Sequence, residues 1–198
     1  MAARFHGEVA VQWLTHDGSD RKVQLTRPFA FEDEAGLRWD VPVGTVVDGA
    51  SIPQVFWTTF GPPFVGDYRR ASVVHDHFCD VKTRPSEAVH RMFHEACVAG
   101  GVGAIKAKSM YLAVRTFGPS WETLVTELAL PGAPTIAAGR SIVFQSSMEL
   151  AEFDRLLKWI ETENPSVDEI DRRAEARTLR APLIPGFVIE RGLPGEPR

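Results

Sequence analysis

Apolar and polar positions along the chain change period twice. In residues 7–14, "GEVAVQWL", and 21–32, "RKVQLTRPFAFE", apolar side chains recur at even spacings, with Val23, Leu25, Phe29 and Phe31 on one side. Period-two alternation puts one face of an extended strand inward. The clusters "HDGSD" and "DEAG" supply the turns between such runs, and "LRWDVPVGTVVDGAS" resumes the extended pattern. Three or four antiparallel strands are predicted before residue 60, with an edge or a bend at Pro42, which cannot donate to a ladder.

From residue 67 the period lengthens to that of a helix. Ala71, Val74, Phe78 and Val81 recur at steps of three and four, predicting a first helix. "TRPSEAVH" starts a second, with Glu87 placed favourably against the helix dipole and Val89, Met92, Phe93, Ala96 and Cys97 as its apolar stripe. Ala107, Met110, Tyr111 and Val114 mark a third, ending near Gly118-Pro119. Beyond it, "LPGAPTIAAGRS" reads as a loop or linker. Residues 147–163 read as a helix capped by Ser147, and Ser166 with Glu169 opens another through a capping-box pattern. The last segment, "APLIPGFVIERGLPGEPR", reads as extended. The fold class is therefore α+β: a small antiparallel sheet packed on a three-helix unit in residues 1–118, followed by a helical appendage and a Pro/Gly-rich tail in residues 119–198.

Composition narrows the partners. With 198 residues and 44% hydrophobic content the chain can bury a true core. A net charge of −4 with scattered Lys and Arg argues against a nucleic-acid binder. No apolar run is long enough to span a bilayer, and the N-terminus lacks the pattern of a signal peptide. Two cysteines, Cys79 and Cys97, make a disulfide scaffold an unsuitable reading; free thiols in a reducing cytoplasm fit better.

Candidate chemistry gathers at one junction. Asp48 opens the stiff stretch "DGASIP", His75 and Asp76 are adjacent on the first helix, and His90 and His94 lie four apart on one face of the second. Helical geometry puts His75 and His90 at the margins of apolar stripes, where half-buried imidazoles line clefts. Imidazole and carboxylate together suit Zn²⁺ or Mn²⁺, with Asp48, His75, Asp76, His90 and His94 as candidate ligands. Such an ion, with one position open, activates water for hydrolysis. A metal-free alternative makes His75 a general base beside Asp76 and Asp48. A third reading has His75 and Asp48 simply closing a buried polar network. Ser51 lacks the Gly-x-Ser-x-Gly elbow of a nucleophile. His77 fits a structural position, and His6 and His16 carry no assigned role.

The ordered motifs "VPVGTVVDGASIPQVFW", "GPPFVGDYRRASVVHDHFCD", "EAVHRMFHEACVAGGV" and "AKSMYLAVRTFG" resemble a bacterial and phage family, domain of unknown function 1353, over about residues 5–118. The resemblance makes Asp48, Ser51, Pro53, His75 and Asp76 motif positions. His90 stands where members usually carry Asp, and Cys79 where they usually carry Tyr. An Asp-to-His exchange keeps a metal-ligand type, which favours a ligand role over a carboxylate orienting His75. The expectation is a metal-assisted hydrolase of phage or prophage origin. The competing expectation is a non-catalytic phage assembly protein that docks on a protein partner through residues 119–198.

Overall fold

The computed structural model describes residues 1–14, 22–49, 66–128 and 136–182. Six short strands come first: β1 (Arg4–His6), β2 (Val11–Trp13), β3 (Val23–Leu25), β4 (Phe29–Glu32), β5 (Arg38–Val41) and β6 (Val46–Val47). They form two antiparallel sheets, ordered β1-β4-β5 and β2-β3-β6. The even-spaced residues do face inward, since Val23, Leu25, Phe29 and Phe31 are all buried. Strand β5 ends at Val41, so Pro42 falls in the turn that leads to β6.

A 3₁₀ turn at Gly66–Tyr68 leads into α1 (Arg69–Val81). Helices α2 (Ser86–Ala99) and α3 (Ala104–Phe117) follow, and α2 packs against both of its neighbours. The predicted stripes are the buried faces: Ala71, Val74 and Phe78 on α1, and Val89, Met92, Phe93, Ala96 and Cys97 on α2. Helix α1 ends with Lys82 in the left-handed region at φ 52°, and its N–H returns to the Phe78 carbonyl. Trp39 of β5 meets Phe78 edge-on at 5.0 Å, which joins the first sheet to α1.

The chain after Pro119 differs from the sequence reading in two places. Residues 136–141, expected in a loop, belong to strand β8 (Ile136–Ser147), which pairs antiparallel with β7 (Ser120–Leu128) and with β9 (Leu179–Pro182). Ser147 is the last residue of that strand, opposite Leu179, so it does not cap the next helix. That helix, α4 (Leu150–Glu163), is preceded by Glu149 instead. The physical reason is long-range pairing: a nine-residue ladder with β7 outweighs the poor strand propensity of Ala137, Ala138 and Gly139. Helix α5 (Val167–Glu175) starts as predicted, with the Ser166 hydroxyl accepting from the Glu169 N–H and the Glu169 carboxylate accepting from the Ser166 N–H.

One hydrophobic cluster runs from the N-terminal strands through α1–α3 to Phe153, Leu156 and Ile160 of α4 and Ile170 and Ala174 of α5. Phe117 and Phe153 meet edge-on at 5.1 Å, across the end of α3. A polar cluster seals α5 to α2 and α3: Asp171 accepts from the Tyr111 hydroxyl and from Arg91, and lies 3.4 Å from the Arg115 Nε.

Candidate functional site

Helix α1 places His75 and Cys79 one turn apart on the side facing α2. Helix α2 brings His90 to meet them: His75 Nε2 lies 2.9 Å from His90 Nδ1. The Cys79 sulphur is nearly equidistant from the two ring nitrogens of His75, at 3.7 Å from Nε2 and 3.8 Å from Nδ1. His75, Cys79 and His90 thus offer three donor atoms that all lie within 4.8 Å of one another. Phe93 stacks obliquely on His75 at 4.6 Å, and Trp121 stands edge-on to His90 at 6.2 Å. Both imidazoles are buried, at 1% exposure each, rather than half-buried at a cleft margin as helical periodicity predicts. Over His90 the cover includes Trp121 at the start of β7, a distant element that local spacing does not reveal.

The hydrogen bonds fix the tautomers. His90 Nε2 lies 3.0 Å from the Pro119 carbonyl oxygen, which can only accept, so His90 carries its proton on Nε2. His90 Nδ1 is then a bare lone pair, and the proton between the rings belongs to His75 Nε2. His75 Nδ1 is left as an acceptor beside the Cys79 thiol. Burial holds both rings in their neutral form: it pushes His90 down to about 3, aided by the Arg115 charge, and His75 well below the usual imidazole range, aided by His90.

Asp76 does different work. Its Oδ2 accepts from the N–H groups of Asp48 and Gly49, both at 2.9 Å, and so clamps the corner after β6 to α1. Gly49 sits at φ +69°, a left-handed conformation that suits glycine. The convergent donor group therefore holds two of the five predicted ligands, His75 and His90, and does not include Asp48, Asp76 or His94. His94 lies a turn beyond His90, edge-on to Tyr111 at 5.9 Å, with Nε2 buried and without a hydrogen-bond partner. It lines a separate cleft of about 360 Å³ with Arg91, Glu95 and Glu34. Burial, then Lys108 and Arg91, lower it to about 4. Ser51 and Pro53 lie outside the described residues.

Cys79 is the member that sequence reasoning passed over. Its placement four residues after His75 was the available signal, but a cysteine at a helix's buried face reads first as a small hydrophobe. Neither Cys79 nor Cys97 is in a disulfide, and both are buried.

Residues 23–114 match the family described as "Protein of unknown function (DUF1353)". The matched segment resembles that family, and it contains the whole donor group and the Asp76 clamp. Two curated relatives come from Sinorhizobium fredii (strain NBRC 101917 / NGR234). "Uncharacterized protein y4jT" is 50% identical over 120 residues, covering 60% of this chain and 35% of that protein. "Uncharacterized protein y4iH" is 35% identical over 127 residues, covering 64% of this chain and 51% of that protein. The match thus spans between about a third and a half of the relatives' length. No solved structure matches the chain significantly.

Proposed function

We propose that this protein is a metal-assisted hydrolase whose ion, Zn²⁺ or Mn²⁺, is held at the junction of α1 and α2. The observation that carries the reading is the convergence of His75, Cys79 and His90 donor atoms within 4.8 Å. The donor set fits a metal: two imidazoles held neutral, each with a nitrogen facing the group, and one thiol. The Nε2–H of His90 is fixed on a backbone carbonyl, the kind of outer contact that orients a ligating imidazole. Three protein ligands would leave a position for water, and a bound divalent ion would supply a nucleophilic hydroxide near neutral pH. The chain's own part is to orient the two rings through Phe93, Trp121 and Pro119, while Asp76 holds the Asp48–Gly49 corner on α1. The substrate class spans cell-wall peptides, lipid esters and phosphoesters, the bonds a phage or prophage hydrolase would meet. A reducing cytoplasm suits a site that needs a free thiol.

A second reading is favoured by one observation: the donor group is almost completely buried, and the cleft beside His94 and another against Met148 and Arg155 are lined by other residues. In that reading the group stitches α1 to α2 in a non-catalytic assembly protein that docks through residues 119–198. No helix among the described residues is long and apolar enough to cross a membrane, so either role is pictured with the chain off the bilayer.

Untagged full-length protein separates the two. Elemental analysis is expected to find one zinc or manganese per chain, lost in His75→Ala. Metal-dependent hydrolysis of ester and phosphodiester reporters, abolished by a chelator, supports the enzyme. A loaded protein that is inert on every reporter, and elutes as a discrete oligomer, favours the assembly role.

A further inference from the structure

At this centre His75 and His90 are joined by a single hydrogen, with the Cys79 sulphur beside His75. His75 Nε2 and His90 Nδ1 face each other at 2.9 Å, and only one of two facing nitrogens so close can carry a proton. The Pro119 carbonyl decides which, because it already takes the His90 proton at Nε2. A tetrahedral site with Zn–N near 2.05 Å and Zn–S near 2.3 Å places its nitrogens about 3.3 Å apart and sulphur about 3.6 Å from nitrogen. The 3.7 Å between Cys79 sulphur and His75 Nε2 already meets the second spacing. The ring pair needs to open by a few tenths of an ångström, and the Cys79 sulphur, within 4.8 Å of the His90 donor, has to come to about 3.6 Å from it.

The geometry points to a preorganised site for a thiophilic, tetrahedral ion of the Zn²⁺ type, in which the ion takes the place of the hydrogen between His75 Nε2 and His90 Nδ1. The inference rests on the metal-binding half of the proposed function and is independent of hydrolysis. It chooses between the two ions named there: a thiolate favours Zn²⁺, whereas Mn²⁺ prefers carboxylate, carbonyl and water oxygens. It also predicts unequal histidines. His90 binds through Nδ1 and keeps its Nε2 proton. His75 binds through Nε2, so its proton moves to Nδ1. The count closes: the imidazoles keep one proton each, and the Cys79 thiol gives its proton to buffer as the Zn–S bond forms.

The test uses the full-length, untagged protein stripped with a chelator. Long-range ¹H–¹⁵N spectra are expected to show both histidines as Nε2–H tautomers. Stoichiometric Zn²⁺ should switch His75 to Nδ1–H and leave His90 unchanged. Co²⁺ should give tetrahedral visible bands and a sulphur-to-cobalt charge-transfer band, displaced by Zn²⁺ and not by excess Mn²⁺. Cys79→Ser should remove the charge-transfer band and weaken binding by at least about tenfold. If that variant does not fold, the wild-type spectra still decide. A stripped protein with His75 already Nδ1–H, no change at His75 on adding Zn²⁺, or equal uptake of Mn²⁺ would each overturn the inference. A zinc-loaded protein that switches His75 but hydrolyses nothing sinks only the catalytic reading.

Discussion

Acid exposes what it costs to bury His75 and His90 as neutral rings. All four depressed imidazoles in α1 and α2, at His75, His77, His90 and His94, take up protons more readily in the unfolded chain, where they titrate near 6.5. His90 falls to about 3 and His94 to about 4 in the folded protein, and His75 falls well below its usual range. The sign follows from linkage. Below about pH 6.5 the unfolded state binds more protons, so stability present above that pH is lost as pH falls toward the folded values. The melting temperature of the metal-free protein is expected to drop steadily between about pH 7 and pH 4, and His90→Gln should flatten the slope. A profile that is level across that range would contradict the burial argument. Asp76 carries a second prediction. Its Oδ2 is the acceptor for two amides at the corner after β6, so Asp76→Ala should cost about 1–3 kcal/mol, read as a shifted urea midpoint. At this scale the sequence was half legible. Histidine spacing pointed to the α1–α2 junction. The pairing of rings, the role of Cys79 and the use of Asp76 as a backbone clamp depend on how two helices pack, which no local spacing encodes.

Among the elements, helices were the easiest to read, because a 3.6-residue stripe and a capping box are both local signals. Val89, Met92, Phe93, Ala96 and Cys97 on α2, and Ser166 with Glu169 at α5, fall where the pattern places them. Strands β7 and β8 escaped notice. The Ala137-Ala138-Gly139 run carries no alternation, and its partner residues lie well upstream, from Thr126 to Glu127 and at Val125. The division of the first six strands into two sheets is likewise set by distant pairings. Docking of α5 adds polar contacts to the burial of Ile170 and Ala174: Asp171 serves Tyr111, Arg91 and the buried Arg115 at once. Asp171→Ala leaves Arg115, among the described residues, only Glu87 as a carboxylate partner, and should destabilise the fold by about 3 kcal/mol in denaturant titration. Asp171→Asn, which keeps one acceptor for Tyr111, should lose less.

The whole molecule behaves as a ligand-linked system if an ion binds only the folded chain. At a free concentration of 100 times the dissociation constant, binding adds about 2.7 kcal/mol. For a chain of this length that raises the melting temperature by roughly 5–10 °C. The expected rise with Zn²⁺ should vanish in His75→Ala and reverse on chelation, as scanning calorimetry would record. Size adds a further consideration: this chain spans only 35% and 51% of the length of the two rhizobial relatives.

The acceptor that orients His90 is a main-chain oxygen, at Pro119. Every amino acid brings the same oxygen to that place, so no single codon change can delete it. Inheritance can tamper with the ring's orientation only by shifting the backbone, for instance by inserting or removing a residue between α3 and β7. The two histidines are open to exchange one letter at a time, while the group that tells them apart is written into the polymer itself.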